Sequence, residues 1–206
     1  MNTKFLFASV AALVIATPAM AQDEAPEFKG GARVEARIGV DDVVLKVEGE
    51  SGSKVGLSYG GEVGYDYVTN SGFVIGAYAG IDGSTTKDCT EVFGNDEACL
   101  KAGRNITAGV RAGGVVRSGL LYVKGGYSNG RATISYRDNV APVNNFSESG
   151  NLDGWHVGAG YELPISANTY AKIEYVFTNY STNDDDFGID ADLQRHQGLV
   201  GFGFRF

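Results

Sequence analysis

Apolar and polar residues alternate with a period of two along much of this chain. Eight segments show the alternation: 32–40, 55–67, 73–82, 105–115, 120–129, 154–163, 169–179 and 195–206. In the sixth segment, for example, Trp155, Val157 and Ala159 alternate with His156 and Gly158. Successive side chains of a strand point to opposite faces, whereas the faces of a helix repeat every 3.6 residues. The pattern therefore predicts an all-β protein built from eight strands.

The connections between these segments alternate in length. Three are short and rich in turn-forming residues: 68–72, 116–119 and 164–168. The other four are long and polar: 41–54, 83–104, 130–153 and 180–194. Short turns at one end and long loops at the other are typical of an up-and-down transmembrane barrel. We therefore predict an eight-stranded antiparallel up-and-down β-barrel that displays four loops at one end.

The charged residues of the polar face indicate which face lines the interior. They are Arg33, Arg37, Arg111, Lys124, Lys172, Arg195 and Arg205 against Glu35, Glu62, Asp66, Asp82, Glu162 and Glu174. A closed lumen has to pair its charges, because a lone buried charge is costly. A solvated face has no such need, and the chain as a whole has a net charge of −8. The near balance favours a membrane barrel with a polar, ion-paired lumen over a soluble barrel of the lipocalin type.

The composition of the chain supports the membrane barrel and argues against one class of function. The apolar face carries aromatic residues, many of them near segment ends, as in interfacial girdles: Tyr59, Tyr65, Tyr67, Trp155, Tyr161, Tyr175, Phe202 and Phe206. The chain has 30 glycines, and those on the polar face leave room for Arg and Tyr side chains in a narrow lumen. A sequence pI of about 4.7 argues against nucleic-acid binding.

The first 21 residues match a secretory signal. Lys4 precedes the apolar run Phe5–Ala16, and Ala19-Met20-Ala21 forms an A-x-A cleavage site. The apolar run is too short to cross a hydrocarbon core of about 30 Å. We predict a signal peptide over 1–21 cleaved after Ala21, a short periplasmic segment over 22–30 and the barrel over 31–206.

Two cysteines lie ten residues apart in the second long connection, within TKDCTEVFGNDEACLK. In the oxidising compartment to which a signal peptide leads, Cys89 and Cys99 are predicted to form a disulfide. A metal site or a redox pair is the alternative. A metal site needs two further ligands, and no histidine is near in sequence.

The last segment, LQRHQGLVGFGFRF at 193–206, alternates aromatic residues and ends on Phe206. It resembles the C-terminal strand of bacterial outer-membrane β-barrels. YGGEVGYDY at 59–67, YVKGGYSNGR at 122–131 and HVGAGYEL at 156–163 look like strand motifs of the small OmpA-like, opacity-protein and porin-family barrels. The resemblance covers about residues 30–206 and implies the bacterial outer membrane. It also implies that Phe202, Phe204 and Phe206 form a signal for the barrel-assembly machinery, and it implies no added peptidoglycan-binding domain.

Candidate chemistry is sparse. Some barrels of this size are lipid A acyltransferases or deacylases, which need a histidine beside a hydroxyl nucleophile and a carboxylate. His156 shares the polar face with Ser58, Glu62 and Glu162, but a packed lumen admits no substrate; His196 lies on the apolar face. The acidic residues Asp184, Asp185, Asp186, Asp190 and Asp192 suggest a divalent-cation site, yet their spacing does not fit an EF-hand loop. We predict no catalytic, cofactor or metal residues.

These observations predict a membrane-embedded structural and surface-interaction scaffold whose lumen is plugged by ion pairs. A narrow porin-like channel for ions or small solutes is the alternative, and a lipid A-modifying enzyme is third. The expected partners are outer-membrane lipid, lipopolysaccharide and the barrel-assembly machinery. The ligand of the surface loops stays open.

Overall fold

The computed structural model describes residues 28–47, 50–92, 96–137, 145–181 and 191–206. These residues form nine strands: β1 (Gly31–Val47), β2 (Glu50–Val68), β3 (Phe73–Ser84), β4 (Lys87–Val92), β5 (Asp96–Val116), β6 (Gly119–Arg137), β7 (Phe146–Pro164), β8 (Thr169–Ser181) and β9 (Ala191–Arg205). Sequential strands pair antiparallel, β1 pairs with β9, and β3 pairs with β5. The sheet thus closes into an eight-stranded barrel, and β4 is an extra strand on the edge of β5. The predicted fold class is confirmed.

The two ends of the barrel differ. Tight turns at 69–72, 117–118 and 165–168 join the strands at one end, which we call the short-turn end. At the opposite, hairpin end the strands run far beyond the predicted segments, so that β1 and β2 still pair at Val47↔Glu50 and β6 and β7 at Tyr136↔Phe146. In three of the four connections predicted as long loops, 41–54, 83–104 and 130–153, the backbone ladder continues through most of the connection. Residues 182–190 of the fourth lie outside the described residues.

The wall of the barrel separates an apolar outer surface from a polar interior. Outward-pointing Val110, Val123 and Ile173 keep 62 to 63% of their surface exposed. Side chains one position away along each strand point inward, and the charged ones among them are buried. A soluble barrel would show the reverse, so this exposed apolar belt fits contact with lipid and excludes the lipocalin type. No helix among the described residues is long and apolar enough to cross a membrane.

The polarity of the two faces is exchanged near the hairpin end. The inward positions of β6 change from Lys124 and Ser128 to Ala132, Ile134 and Tyr136, while its outward positions become polar. Strand β5 follows this exchange through a bulge: Ala102 pairs with Ala132, but Asn105 pairs with Gly130, which leaves one extra residue in β5. The projecting parts of β5 and β6 therefore turn a largely apolar face inward.

A small apolar cluster closes the short-turn end. Phe28, which precedes β1, packs with Val74, Leu120 and Tyr122, and all four side chains are buried. The chain enters β1 through Gly31, whose φ of +136° lies in the region that favours glycine. A Cβ at Gly31 would lie 2.0 Å from the carbonyl oxygen of Phe206, so only glycine fits between Phe28 and the first strand.

Candidate functional site

The charged residues predicted to line the lumen all lie inside the barrel. The structure buries each of Arg33, Glu35, Arg37, Glu62, Asp66, Asp82, Arg111, Lys124, Glu162, Lys172, Glu174, Arg195 and Arg205, none more than 6% exposed. It adds Asp41, which is 0% exposed. Sequence reasoning missed Asp41 because it ended the first segment at Val40. With Asp41 included, seven basic and seven acidic side chains face the lumen.

At the short-turn end, two arginines bridge two carboxylates. Arg111 donates to Asp66 through Nε and Nη2, at 2.7 and 2.5 Å, and Nη2 also donates to Glu162 at 3.1 Å. Arg205 donates to Asp66 at 2.6 Å and to Glu162. These four side chains come from four strands, β2, β5, β7 and β9. They tie opposite walls of the barrel together.

Glu62 is the hub in the middle of the lumen. Its carboxylate lies 2.8 Å from Arg33 Nη1, 2.6 Å from Arg37 Nη1 and 2.7 Å from Lys124 Nζ. Arg37 also donates two hydrogen bonds to Asp82, at 2.8 and 2.7 Å, in the bidentate geometry that makes such pairs strong. One carboxylate thus contacts three cations, two from β1 and one from β6.

A second group of pairs completes the wall formed by β8. Lys172 Nζ lies 3.1 Å from Glu174 and also contacts Glu35. Tyr122 donates to Glu174 at 2.6 Å, and Tyr170 donates to Glu35 at 2.9 Å. Arg33 and Lys124 join this group to Glu62 and Asp66. We call the connected set the central cluster: Arg33, Arg37, Arg111, Lys124, Lys172 and Arg205 with Glu35, Glu62, Asp66, Asp82, Glu162 and Glu174.

A separate ion pair closes the lumen toward the hairpin end. Arg195 donates to the two oxygens of Asp41 from Nε and Nη2, at 2.6 and 2.9 Å. Ser84 and Thr86 also donate to Asp41. No ion pair among the described residues links this pair to the central cluster.

Uncharged polar groups occupy the lumen between the two ionic layers. Both ring nitrogens of His156 form hydrogen bonds: Nε2 with the hydroxyl of Tyr78 at 2.5 Å, and Nδ1 with the hydroxyl of Ser128 at 2.8 Å. Gln197 donates to Ser58 at 2.8 Å. The side-chain polar atoms of Asn105, Thr107 and Thr178 are buried and lack a hydrogen-bond partner among the described residues. The layer as a whole consists of Ser58, Tyr78, Asn105, Thr107, Ser128, His156, Thr178 and Gln197. Sequence reasoning placed His156 on this face but named neither Tyr78 nor Ser128 as its partner.

Neither histidine has the surroundings expected of a hydrolytic triad. The carboxylates considered for His156, Glu62 and Glu162, are engaged by basic side chains, and Ser58 bonds to Gln197. His196 lies outward, 2.7 Å from the hydroxyl of Tyr175, with its ring centroid 5.0 Å from that of Phe177.

Cys89 and Cys99 are bonded to each other across β4 and β5, where they are direct partners in the ladder. Glu97 is the one acidic side chain that accompanies them within metal-binding distance in the described residues. Sulfur atoms that share a disulfide are not thiolates, which leaves the carboxylate of Glu97 as the single anionic ligand of this group. The carboxylates of the acidic segment, Asp184 to Asp186 and Asp190, lie outside the described residues, as do residues 1–27 with the predicted signal peptide.

The aromatic residues assigned to the outer face point outward. Phe202 and Phe204 pack edge to face with centroids 5.7 Å apart, and Phe206 is 77% exposed. Farther toward the hairpin end, Trp155 packs against Phe177 with centroids 5.7 Å apart. Two aromatic zones therefore border the apolar belt, in the arrangement that membrane barrels use at their interfaces.

The chain is similar in structure or in sequence to several known proteins. Neisserial surface protein A, of Neisseria, superposes with a TM-score of 0.53 at 14% identity, over 85% of this chain and 97% of that chain. Ail of Yersinia pestis gives a TM-score of 0.49 at 20% identity, over 87% of this chain and 100% of that chain. A 31 kDa outer-membrane immunogenic protein of Brucella melitensis is 24% identical over 163 residues, which span 73% of this chain and 67% of the relative.

The profile of one family covers almost the whole chain, from residue 7 to residue 206. Its description, outer membrane protein beta-barrel domain, agrees with the closed sheet and the apolar outer belt. This chain belongs to the outer membrane protein beta-barrel domain family.

Proposed function

We propose that this protein is a structural and surface-interaction scaffold of the bacterial outer membrane, and that its lumen is closed to solutes. The observation that carries the proposal is the central cluster, whose six cations and six carboxylates cross-link opposite walls. Eight strands leave just enough interior for side chains to fill. The Asp41–Arg195 pair and the Phe28 cluster supply further closures on either side.

The hairpin end is the surface that this scaffold displays. In barrels of this type the short turns face the periplasm and the long connections face outward. Here β4 and the projecting parts of β5, β6 and β7 form a four-stranded sheet beyond the membrane belt. The name of the Brucella relative, an immunogenic outer-membrane protein, is consistent with such a display.

The outer surface supports three proposed partners. The apolar belt and its aromatic borders are suited to outer-membrane lipid and lipopolysaccharide. The exposed row Phe202, Phe204 and Phe206 on the last strand is suited to recognition by the barrel-assembly machinery.

Single-channel recording in planar bilayers tests whether the lumen is closed. We expect the refolded wild-type protein to show no steady conductance, and Arg111→Ala to show conducting events, because it removes a side chain that bridges Asp66 and Glu162. Lys101→Ala is the matched control, since Lys101 lies on the same strand but is exposed outside the barrel. Steady conductance of the wild-type protein would contradict the scaffold proposal.

A narrow channel for ions or small solutes is the second candidate. The buried, unpartnered polar atoms of Asn105, Thr107 and Thr178 favour it, because buried polar groups of this kind commonly bond to internal water. Water in this layer would form part of a path if the central cluster opened. The same recordings separate the two functions.

A further inference from the structure

The exchange of polarity at the hairpin end creates a site that the scaffold function does not use. Above the level of Asn129 and Asp153, the inner face of the wall changes from charged to apolar. A cavity of about 30 Å³ lies at this level, between Arg195 of the lumen and the projecting sheet. Its apolar lining comes from Val43, Ala102, Ala132, Leu152, Tyr180 and Leu193.

A guanidinium group without a partner lines the same cavity. Arg104 belongs to the β5 bulge, which lifts it out of the regular ladder opposite β6. Its Nη1 atom is buried and has no hydrogen-bond partner among the described residues. Arg195, which also lines the cavity, is already paired with Asp41. The lining includes Arg131 as well, and none of the lining residues is acidic.

An apolar strip continues from the cavity along the projecting sheet, and Glu148, the cross-strand partner of Ile134, borders it on the same face. Leu100 pairs with Ile134 and Ala98 with Tyr136, and all four side chains share the inner face. Tyr136 stacks on Phe146 with centroids 5.6 Å apart. Ile134 and Phe146 remain 40% and 53% exposed. From Arg104 to Ala98 this surface extends roughly 20 Å at the usual rise of a strand.

We propose that this site binds a single-chain amphiphile with a carboxylate head, that is, a free fatty acid. Arg104 is partly buried, and its Nη1 atom is fully buried and lacks a hydrogen-bond partner among the described residues. A guanidinium in this position fits a carboxylate, which it can bind in bidentate geometry. The apolar lining and the adjoining face of the sheet fit an alkyl chain, whose burial is favourable in proportion to its area. An uncharged alkyl chain would leave Arg104 unpaired, and a short hydrophilic anion would leave the apolar face exposed.

Binding of octanoate to the full-length protein in lipid vesicles tests the proposal, with octanol as the ligand of equal chain length. The carboxyl carbon of octanoate is labelled with ¹³C and followed by NMR, and vesicles without protein give the partitioning background. We expect saturable binding of octanoate, at least about tenfold tighter than that of octanol, as for a charge-assisted hydrogen bond in a buried site.

Two variants and one control identify the site. Arg104→Gln should weaken octanoate binding about tenfold and leave octanol binding unchanged. Ala132→Phe, which fills the cavity but leaves Arg104 in place, should weaken the binding of both octanoate and octanol. Lys101→Gln, on the opposite face of β5, should change neither. Each variant must first show the heat-sensitive gel migration of a folded barrel.

The proposal is overturned by any of three results: no saturable binding of octanoate, equal binding of octanoate and octanol, or wild-type affinity in both Arg104→Gln and Ala132→Phe. If one of these two variants does not fold, the other still decides the matter. The conductance of the lumen does not enter this test, so it is independent of the proposed function.

Discussion

Arg111 is the residue at which pairing in the lumen has its clearest energetic consequence. Removing it leaves Asp66 and Glu162 each with one cation fewer in a buried site. Breaking a buried pair by deleting one partner costs about 3–5 kcal/mol. We therefore expect Arg111→Ala to lower the free energy of unfolding by several kcal/mol. Urea unfolding in vesicles measures this, and Lys101→Ala, which removes an exposed charge, should change it by less than about 0.5 kcal/mol.

The connectivity of the ion pairs predicts which substitutions are coupled. Arg111 and Glu162 are direct partners, so Arg111→Ala and Glu162→Gln should be strongly non-additive in a double-mutant cycle. Asp41 shares no ion-pair partner with Arg111, so Asp41→Asn and Arg111→Ala should add within about 0.5 kcal/mol. Additive behaviour of the first pair, or strong coupling of the second, would contradict the division into a central cluster and a separate pair.

Much of the lumen could be predicted residue by residue, because strict alternation places every second side chain of a strand on one face. The partners could not. Glu62 binds Arg37 of β1 and Lys124 of β6. The number of residues that separate these cations from Glu62 in the sequence does not indicate at which height along the barrel axis they lie. That height depends on the stagger between strands, which is set when the barrel closes. Asp41 was missed because Val43 and Val44 obscured the alternation just beyond it.

At the scale of strands, the hairpin end differs most from the sequence prediction. Loops were expected wherever the apolar alternation stopped. In β5 and β6 the strands continue there with their apolar side turned inward, and in β5 this change occurs at the bulge between Ala102 and Asn105. A bulge shifts the register by one residue and leaves little trace in the sequence. The alternation of Ala98, Leu100 and Ala102 was the available signal, and its meaning depended on that shift.

The disulfide acts on a single element, the edge strand β4. Cys89 and Cys99 join β4 to β5 outside the apolar belt, and β4 takes no part in closing the barrel. We expect the double variant Cys89→Ser with Cys99→Ser to keep a folded barrel, while amide exchange in 87–92 becomes faster because six residues of edge pairing lose their covalent tie. Hydrogen exchange with mass spectrometry measures this.

Mass spectrometry of unreduced protein from outer membranes should also show the loss of two hydrogens that a disulfide entails. Two free thiols would contradict the bond itself. Unchanged exchange in 87–92 of the double variant would show instead that the strand is held without it.

At the scale of the whole molecule, two opposite solvents act on one wall. On the outside, a belt of exposed Val, Ile, Leu and aromatic side chains would be in unfavourable contact with water. Inside, fourteen charges are neutralised within the barrel. The net charge of −8 therefore belongs to residues other than these fourteen. A molecule built in this way is stable only where lipid covers the belt.

The purified protein should accordingly require detergent or lipid to remain dispersed, because without either of them the apolar belt would be exposed to water and would promote aggregation. On a denaturing gel, the unboiled protein should migrate differently from the boiled protein, since a barrel closed by β1–β9 and β3–β5 pairing and cross-linked by the central cluster resists detergent until it is heated. Reduction of the disulfide should not abolish this difference, because β4 lies outside the closed sheet. Full solubility of the folded protein without detergent would reverse the assignment of the two faces and would require a water-soluble barrel in place of a membrane one.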